Sequence, residues 1–190
     1  MSGQMSDVIV VGDAEYAIVE PESGVLFDVR AFGVMPVMMH SANSRGELAR
    51  FRIDEKGKLL LSDLQVGSVD APPAINGIEA TTDEYGQVWT YLDLDLPIEW
   101  SGDLLAGAQP ILELYVHSGF LPVWHYEQVL AFDVEAGCVL SREDRSEAVA
   151  AFRAALLEAE ETDRDDGRFE HFLDAIKLRL RGTEAEPSAE

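Results

Sequence analysis

The sequence predicts a mainly β domain, an antiparallel sandwich or open barrel of about eight or nine short strands, followed by a C-terminal helical hairpin. Three observations predict it. Short β-rich runs divided by Gly, Pro, Asn and Asp fill residues 7–140, helical periodicity is absent there, and a helical period begins after residue 140. Because 190 residues suit one core with a small appendage, we expect an acidic β domain at 1–140, a hairpin packed on it at 141–182 and a disordered tail at 183–190.

Nine segments rich in β-branched and aromatic residues are the candidate strands. They are 8–11, 14–19, 25–29, 47–53, 59–66, 88–96, 111–116, 127–134 and 138–140. The clearest turn is 54–57, a polar loop that ends in a glycine between two β-rich runs. Since glycine accepts the left-handed backbone of such turns, a hairpin is predicted there and a second at 135–137.

Strict alternation marks the strand predicted at 88–96. One set of side chains is mostly apolar and is expected to face the core: Val88, Thr90, Leu92, Leu94 and Leu96. The other set combines aromatic rings with carboxylates: Trp89, Tyr91, Asp93 and Asp95. Rings supply contact area and acids attract a basic partner, so these four residues are the predicted binding surface. The alternative is that Trp89 and Tyr91 pack under a loop or on another sheet.

Two amphipathic runs predict the helical hairpin. Ser141 and Asp144 resemble a capping box ahead of a helix at 142–160. Polar and acidic residues at 162–166 then precede a second apolar stripe, which ends at Gly182. The apolar stripe must rest on the sheet, on the other helix or on a partner.

Charge is the dominant feature of the composition. The chain has 14 basic and 36 acidic residues and a formal net charge of −22. No Lys or Arg lies between Lys58 and Arg142, where thirteen acids fall. This charge repels nucleic acids and anionic membranes and attracts basic proteins, so the predicted partner is a basic protein, with no direct binding of nucleic acid or membrane. Solvation in an acid-biased proteome explains the same composition.

Two arginines alternate on the strand predicted at 47–53. Arg50 and Arg52 share one face, opposite Ala49, Phe51 and Ile53. We expect them to form ion pairs with neighbouring acidic strands, with anion binding as the alternative.

No catalytic motif is present. His117 and His125, with Glu113 and Tyr115, form a second-choice site for a hydrolase or metal-dependent enzyme. Their spacing matches no metal-binding motif, and Ser118 lacks the context of a nucleophile elbow. Histidines among aromatic residues are favoured as structural. We therefore predict no catalytic residue, no metal and no cofactor.

The remaining signals concern location. The sequence contains no run of about 18 apolar residues, and its N-terminal residues lack the basic and apolar regions of a secretory signal. A cytoplasmic protein is therefore predicted. The single cysteine, Cys138, excludes an internal disulfide and is expected to be a buried, inert thiol.

Three segments resemble a family of small uncharacterised bacterial proteins. They are SRGELARFRIDEKGKLLLSDLQV, IEWSGDL and ELYVHSGFLPVWHYEQVLAFDVEAGCV, within residues 44–139. In order, they resemble that family's RGY-type strand, its hairpin and its aromatic-Ser-Gly and YVHxGF segments. The resemblance carries no established activity and no catalytic residue; it implies an accessory or immunity-type role in bacterial conflict systems. Glu47 stands where the family pattern has an aromatic residue, and the segment at His117 departs at one position.

Three functional hypotheses follow. The first is a non-enzymatic protein-binding module, immunity-like or regulatory, that presents an acidic and aromatic face to a basic protein. The second is a hydrolase or metal enzyme centred on His117 and His125. The third is an acidic mimic of nucleic acid that occupies a DNA-binding protein. The sequence leaves the partner and the oligomeric state open.

Overall fold

The computed structural model describes residues 2–19, 25–115 and 117–162. Strands dominate this part of the chain, which confirms the mainly β prediction. The elements are β1 Val8–Val11, β2 Ala14–Val19, β3 Glu47–Ile53, β4 Leu59–Gly67, β5 Thr81–Thr82, β6 Val88–Tyr91, β7 Leu96–Pro97, β8 Gly102–Pro110, β9 Tyr126–Glu135, β10 Cys138–Asp144 and the helix α1 Ser146–Thr162. Short 3-10 turns lie at Val29–Phe32, Leu112–Leu114 and Val123–His125.

The ten strands of the described residues belong to one mixed sheet that is not closed. Its order is β10-β9-β8-β2-β1-β3-β4-β6-β5, with β7 also paired to β4. The antiparallel prediction is wrong for one pair, because β1 and β3 run parallel. The chain reverses direction between β1 and β2 and reverses again in the long connection from β2 to β3, so β3 runs in the same direction as β1. The choice between a sandwich and an open barrel stays a prediction.

Both predicted hairpins are confirmed. The β3–β4 turn is held by the carboxylate of Asp54, which accepts the backbone N–H groups of Lys56 and Lys58, each at 2.8 Å. The β9–β10 turn places Gly137 in the left-handed region with a φ of 73°. Glycine adopts that conformation without the cost that a side chain adds.

The two hairpin turns are joined to each other. The Leu59 N–H donates to the Gly137 carbonyl at 2.8 Å, and the Val139 N–H donates to the Gly57 carbonyl at 2.9 Å. The Gly137 N–H donates to the carbonyl of Trp100 at 2.8 Å. Residues distant in sequence are thereby fixed at one end of the sheet.

The main core lies on one face of the sheet. Its fully buried side chains include Ile9, Phe51, Leu61, Tyr91 and Phe132. Burying a side chain of this size stabilises the fold by about 1.5–3 kcal/mol. Residues that alternate with these core residues along the strands point to the opposite face of the sheet and determine the chemistry of that surface.

A second, smaller cluster fixes α1 on the sheet. Val149, Phe152 and Leu156 are buried against residues that include Val129 and Tyr126 of β9. The helix prediction is thus confirmed for the first helix, which packs on its own sheet. The second predicted helix and the tail lie outside the described residues.

The helix begins at Ser146 rather than at the predicted residue 142, since β10 continues to Asp144. The Ser146 N–H donates to the Asp144 carboxylate at 2.8 Å. Arg153 fixes the middle of the helix by donating to the carbonyls of Trp124 and Tyr126, both at 3.0 Å. No helix in the described ranges has the length and apolar character needed to cross a bilayer.

Two predicted strands need correction, and two strands were not predicted. The segment predicted at 25–29 leads into the 3-10 turn at Val29–Phe32, and the described part of 111–116 contains the turn at Leu112–Leu114. The missed strands are the two-residue β5 and the longer β8. β8 has the sequence GDLLAGAQP, whose small residues are poor strand formers. They are tolerated because Gly107 leaves room for the Tyr126 ring, which packs directly against its backbone.

Candidate functional site

The structure reverses the predicted facing of residues 88–91. Tyr91 is fully buried, and its hydroxyl donates to the Pro73 carbonyl at 2.7 Å, whereas Leu92 is 56% exposed. Trp89 packs partly buried against the core and donates through Nε1 to the Ser68 carbonyl at 3.3 Å. Both rings thus pack against the main core and do not form an open face.

Strand pairing explains this reversal. Tyr91 lies opposite Leu64 and Trp89 opposite Val66, and both β4 residues are buried. Paired residues point to the same face, so β4 turns both rings inward. A fully buried Tyr91 is unable to contact a partner.

The two acids of the predicted surface lie beyond the end of β6. Asp93 and Asp95 are exposed and have positive φ values of 55° and 46°, which break the alternation. The Asp93 N–H donates to the Asp63 carboxylate at 3.2 Å, and Asp95 pairs with Arg52 at 2.7 Å. The four predicted residues therefore do not form one surface.

The predicted ion pairs of β3 are confirmed. Arg50 pairs with Glu15 of β2 and, at 3.7 Å, with Asp63 of β4. These side chains are partly exposed, so each pair contributes at most about 1 kcal/mol. Arg50 and Arg52 are thus held in pairs with acids.

The second-choice residues are divided between two environments. Glu113, Tyr115 and His117 are exposed, and the Tyr115 and His117 rings meet edge to face with centroids 4.9 Å apart. His125 instead packs edge to face with Trp124, with centroids 6.2 Å apart. The exposed position of His117 does not give it the enclosed, polar surroundings of a catalytic base.

His125 is a partly buried side chain. Its Nδ1 atom is buried and has no hydrogen-bond partner among the described residues. Burial lowers the pKa of His125, and the neighbouring charge of Arg153 lowers it further. The described residues contain no group of three or more His, Cys, Asp or Glu side chains that could hold a metal ion.

A groove crosses the outer face of three strands beside α1; we call it the β8–β10 groove. Its volume is about 230 Å³. It is lined by Asp103, Leu104, Leu105, Ala131, Phe132, Asp133, Ser141, Glu143 and Arg145. Because Leu105 also belongs to the cluster under α1, the groove lies next to the helix.

Strand register brings the polar residues of the groove together. Asp133 of β9 lies opposite Asp103 of β8 and opposite Ser141 of β10. Two residues away on β9, Ala131 lies between Leu105 of β8 and Glu143 of β10. Since paired residues point to the same side, three carboxylates and one hydroxyl face the groove.

The groove carries an excess of negative charge. Arg145 pairs through Nη2 with Glu143 at 2.6 Å, and its Nε atom is buried without a hydrogen-bond partner in the described part of the chain. Three of the residues that line the groove carry a carboxylate, and one carries a guanidinium. Asp103 of β8 lies directly opposite Asp133 of β9.

A different carboxyl group is buried at the start of β3. Glu47 is 8% exposed, and its Oε2 atom has no hydrogen-bond partner among the described residues. Burial raises the pKa of Glu47, and the charge of Asp7 raises it further, while Arg45 and Arg30 act in the opposite direction. Glu47 lies on the core side of β3 with Ala49 and Phe51, away from the groove.

Comparison with family models, with characterised proteins and with solved structures gave no match to this chain. The family resemblance of residues 44–139 therefore stays a hypothesis.

Proposed function

We propose that the protein is a binding module that takes a basic protein at the β8–β10 groove. The observation that carries the proposal is the register of three strands, which places Asp103, Asp133 and Glu143 on one face of a concave surface. A cationic side chain of a partner placed in this surface meets carboxylates from three adjacent strands, and such charge-assisted contacts are among the stronger polar interactions of proteins.

The charge around the groove supports the same class of partner. Of the thirteen acids between Lys58 and Arg142, eleven are exposed, and Asp63 and Asp103 are partly buried. Arginines pair with Asp63, Asp95 and Glu127. A field of this sign accelerates the approach of basic proteins, and the groove gives them a place to bind.

The proposal is tested with a defined cationic probe, an acetylated and amidated peptide of alternating lysine and threonine labelled for fluorescence anisotropy. We expect binding at 10 mM salt that weakens by about tenfold at 150 mM, since the screening length falls from about 30 to about 8 Å. The double substitution Asp103→Asn and Asp133→Asn should weaken binding by about tenfold at either salt concentration.

The matched control is Glu79→Gln with Glu84→Gln, which removes the same charge from two exposed acids near the other end of the sheet. This pair should change affinity by less than about twofold. Equal losses in the two double variants would show that net charge alone attracts the peptide, and the groove would lose its assigned role. Absence of peptide binding at 10 mM salt would also contradict the proposal.

A further inference from the structure

We propose that the partner binds as an extended basic segment that adds a strand to the outer edge of β10, with its lysine or arginine side chains over the β8–β10 groove. This inference rests on the proposed function and specifies the conformation of the partner. It makes β10 the contact strand, a role that the sequence did not predict.

The first observation is the edge itself. β10 ends the sheet and pairs with β9 on one side. On its other side, the described residues form contacts at the beginning of the strand, where Cys138 bridges Lys58 and the Val139 N–H donates to Gly57. Side chains from Leu140 to Asp144 are exposed. From Ser141 onward, no described strand pairs with this edge. A row of backbone N–H and carbonyl groups at a sheet edge accepts a further strand, which is a common way to bind extended peptides.

The second observation is that the same strand lines the groove. Ser141 and Glu143 of β10 face it, and Asp133 of β9 is the next carboxylate inward. A strand added to β10 lies about 4.8 Å outside it and therefore about 9.6 Å from β9. The four-carbon stem of a lysine spans much of that distance. Alternate basic residues of the added strand would thus point toward Glu143 and Asp133.

A basic segment fits this edge better than a second copy of the chain. Two-fold pairing of β10 with itself, centred on Arg142 or Glu143, places like charges opposite each other. Any such pairing also brings together two chains of net charge −22 each. The register shift between Val139 and Ser141 bends the first part of the edge, so the added strand begins at Ser141.

The test compares two peptides of equal length and charge. One alternates lysine with threonine and can form a strand; the other alternates lysine with proline, which removes backbone donors and disfavours strand pairing. We expect the lysine–threonine peptide to bind the intact protein at least about tenfold more tightly. Among the amides at 140–145, Arg145 donates to Val129 of β9, so the alternate amides of Arg142 and Asp144 face the edge. Hydrogen exchange of these two amides should slow by about tenfold with this peptide and stay unchanged with the other.

The outcomes separate the two proposals. Equal affinity for both peptides, together with loss of binding in the Asp103→Asn and Asp133→Asn variant, would overturn strand addition and leave the groove function standing. Protection at the other edge strand, Thr81–Thr82, in place of 140–145 would also overturn it. Binding of neither peptide would remove the proposed function and this inference together.

Discussion

Replacement of Gly137 by alanine is expected to destabilise the protein by about 3 kcal/mol. Gly137 has a φ of 73°, and a Cβ atom at this position would collide with the backbone carbonyl of Ile98. A backbone atom, unlike the end of a flexible side chain, is unable to move aside without disturbing the strands around it. The shift would disturb the hydrogen bonds that join Gly137 to Leu59 and Trp100. Urea unfolding measures the loss as a lower transition midpoint, with no change in the slope of the unfolding free energy against urea concentration.

Gly57→Ala is the matched control for this prediction. Gly57 has nearly the same φ, 78°, but the nearest atom to its added Cβ is the Val139 carbonyl oxygen at 3.7 Å, an ordinary contact. The control should therefore show the conformational cost alone, about 1 kcal/mol. Equal destabilisation by the two substitutions would mean that the close approach of Gly137 to Ile98 does not contribute to the destabilisation.

Glu47→Gln is expected to stabilise the protein at pH 7 by about 1–2 kcal/mol. The pKa of Glu47 is raised in the folded state by burial and by Asp7, so the folded protein holds this proton to a higher pH than the unfolded chain does. The stability contributed by this group is complete below its ordinary value of 4.5 and is lost as the pH rises through the folded pKa. The neutral amide of the Glu47→Gln variant has no charged form in this pH range, so it loses no stability as the pH rises.

The free energy of unfolding, measured from pH 4.5 to 8 for both proteins, checks this sign. The advantage of the Glu47→Gln variant should grow as the pH rises. The same substitution at the exposed Glu84 should change stability by less than about 0.5 kcal/mol throughout. A glutamine variant that is less stable at pH 7, or an advantage independent of pH, would show that burial does not disfavour the charged form of Glu47.

Local signals in the sequence identify the hairpins and the first helix. The turn at 54–57 and the turn at 135–137 combine glycine with polar residues between β-rich runs, and both form. The ion pairs of Arg50 and Arg52 were also predictable, because their alternation on one strand fixes the face that they share. The hairpins, the helix and the shared face of the two arginines depend on residues close together in sequence, whereas Glu15 and Asp95, which pair with the arginines, lie far away in the chain.

Features that depend on long-range pairing were not predictable in this way. Alternation at 88–91 has two possible facings, and the pairing of Tyr91 with Leu64 decides between them. The parallel pair of β1 and β3 depends on how a long connection returns.

The groove escaped prediction for the same reason. Asp103 and Asp133 are 30 positions apart in sequence, and the strand that carries Asp103 lacks the usual composition of a strand. The absence of Lys and Arg from 59–141 indicated where negative charge would collect. It did not indicate which acids would meet, since that follows from the register of β8, β9 and β10.

Zero-length carbodiimide coupling of the lysine–threonine peptide to the protein tests the central claim most directly, because this reaction joins a carboxylate to a lysine amine in contact with it. At 150 mM salt, where long-range attraction is largely screened, mass spectrometry of the product should locate the cross-links on Asp103, Asp133 and Glu143. Cross-links spread evenly over the exposed acids, or concentrated on Glu79 and Glu84, would contradict a binding site at the β8–β10 groove.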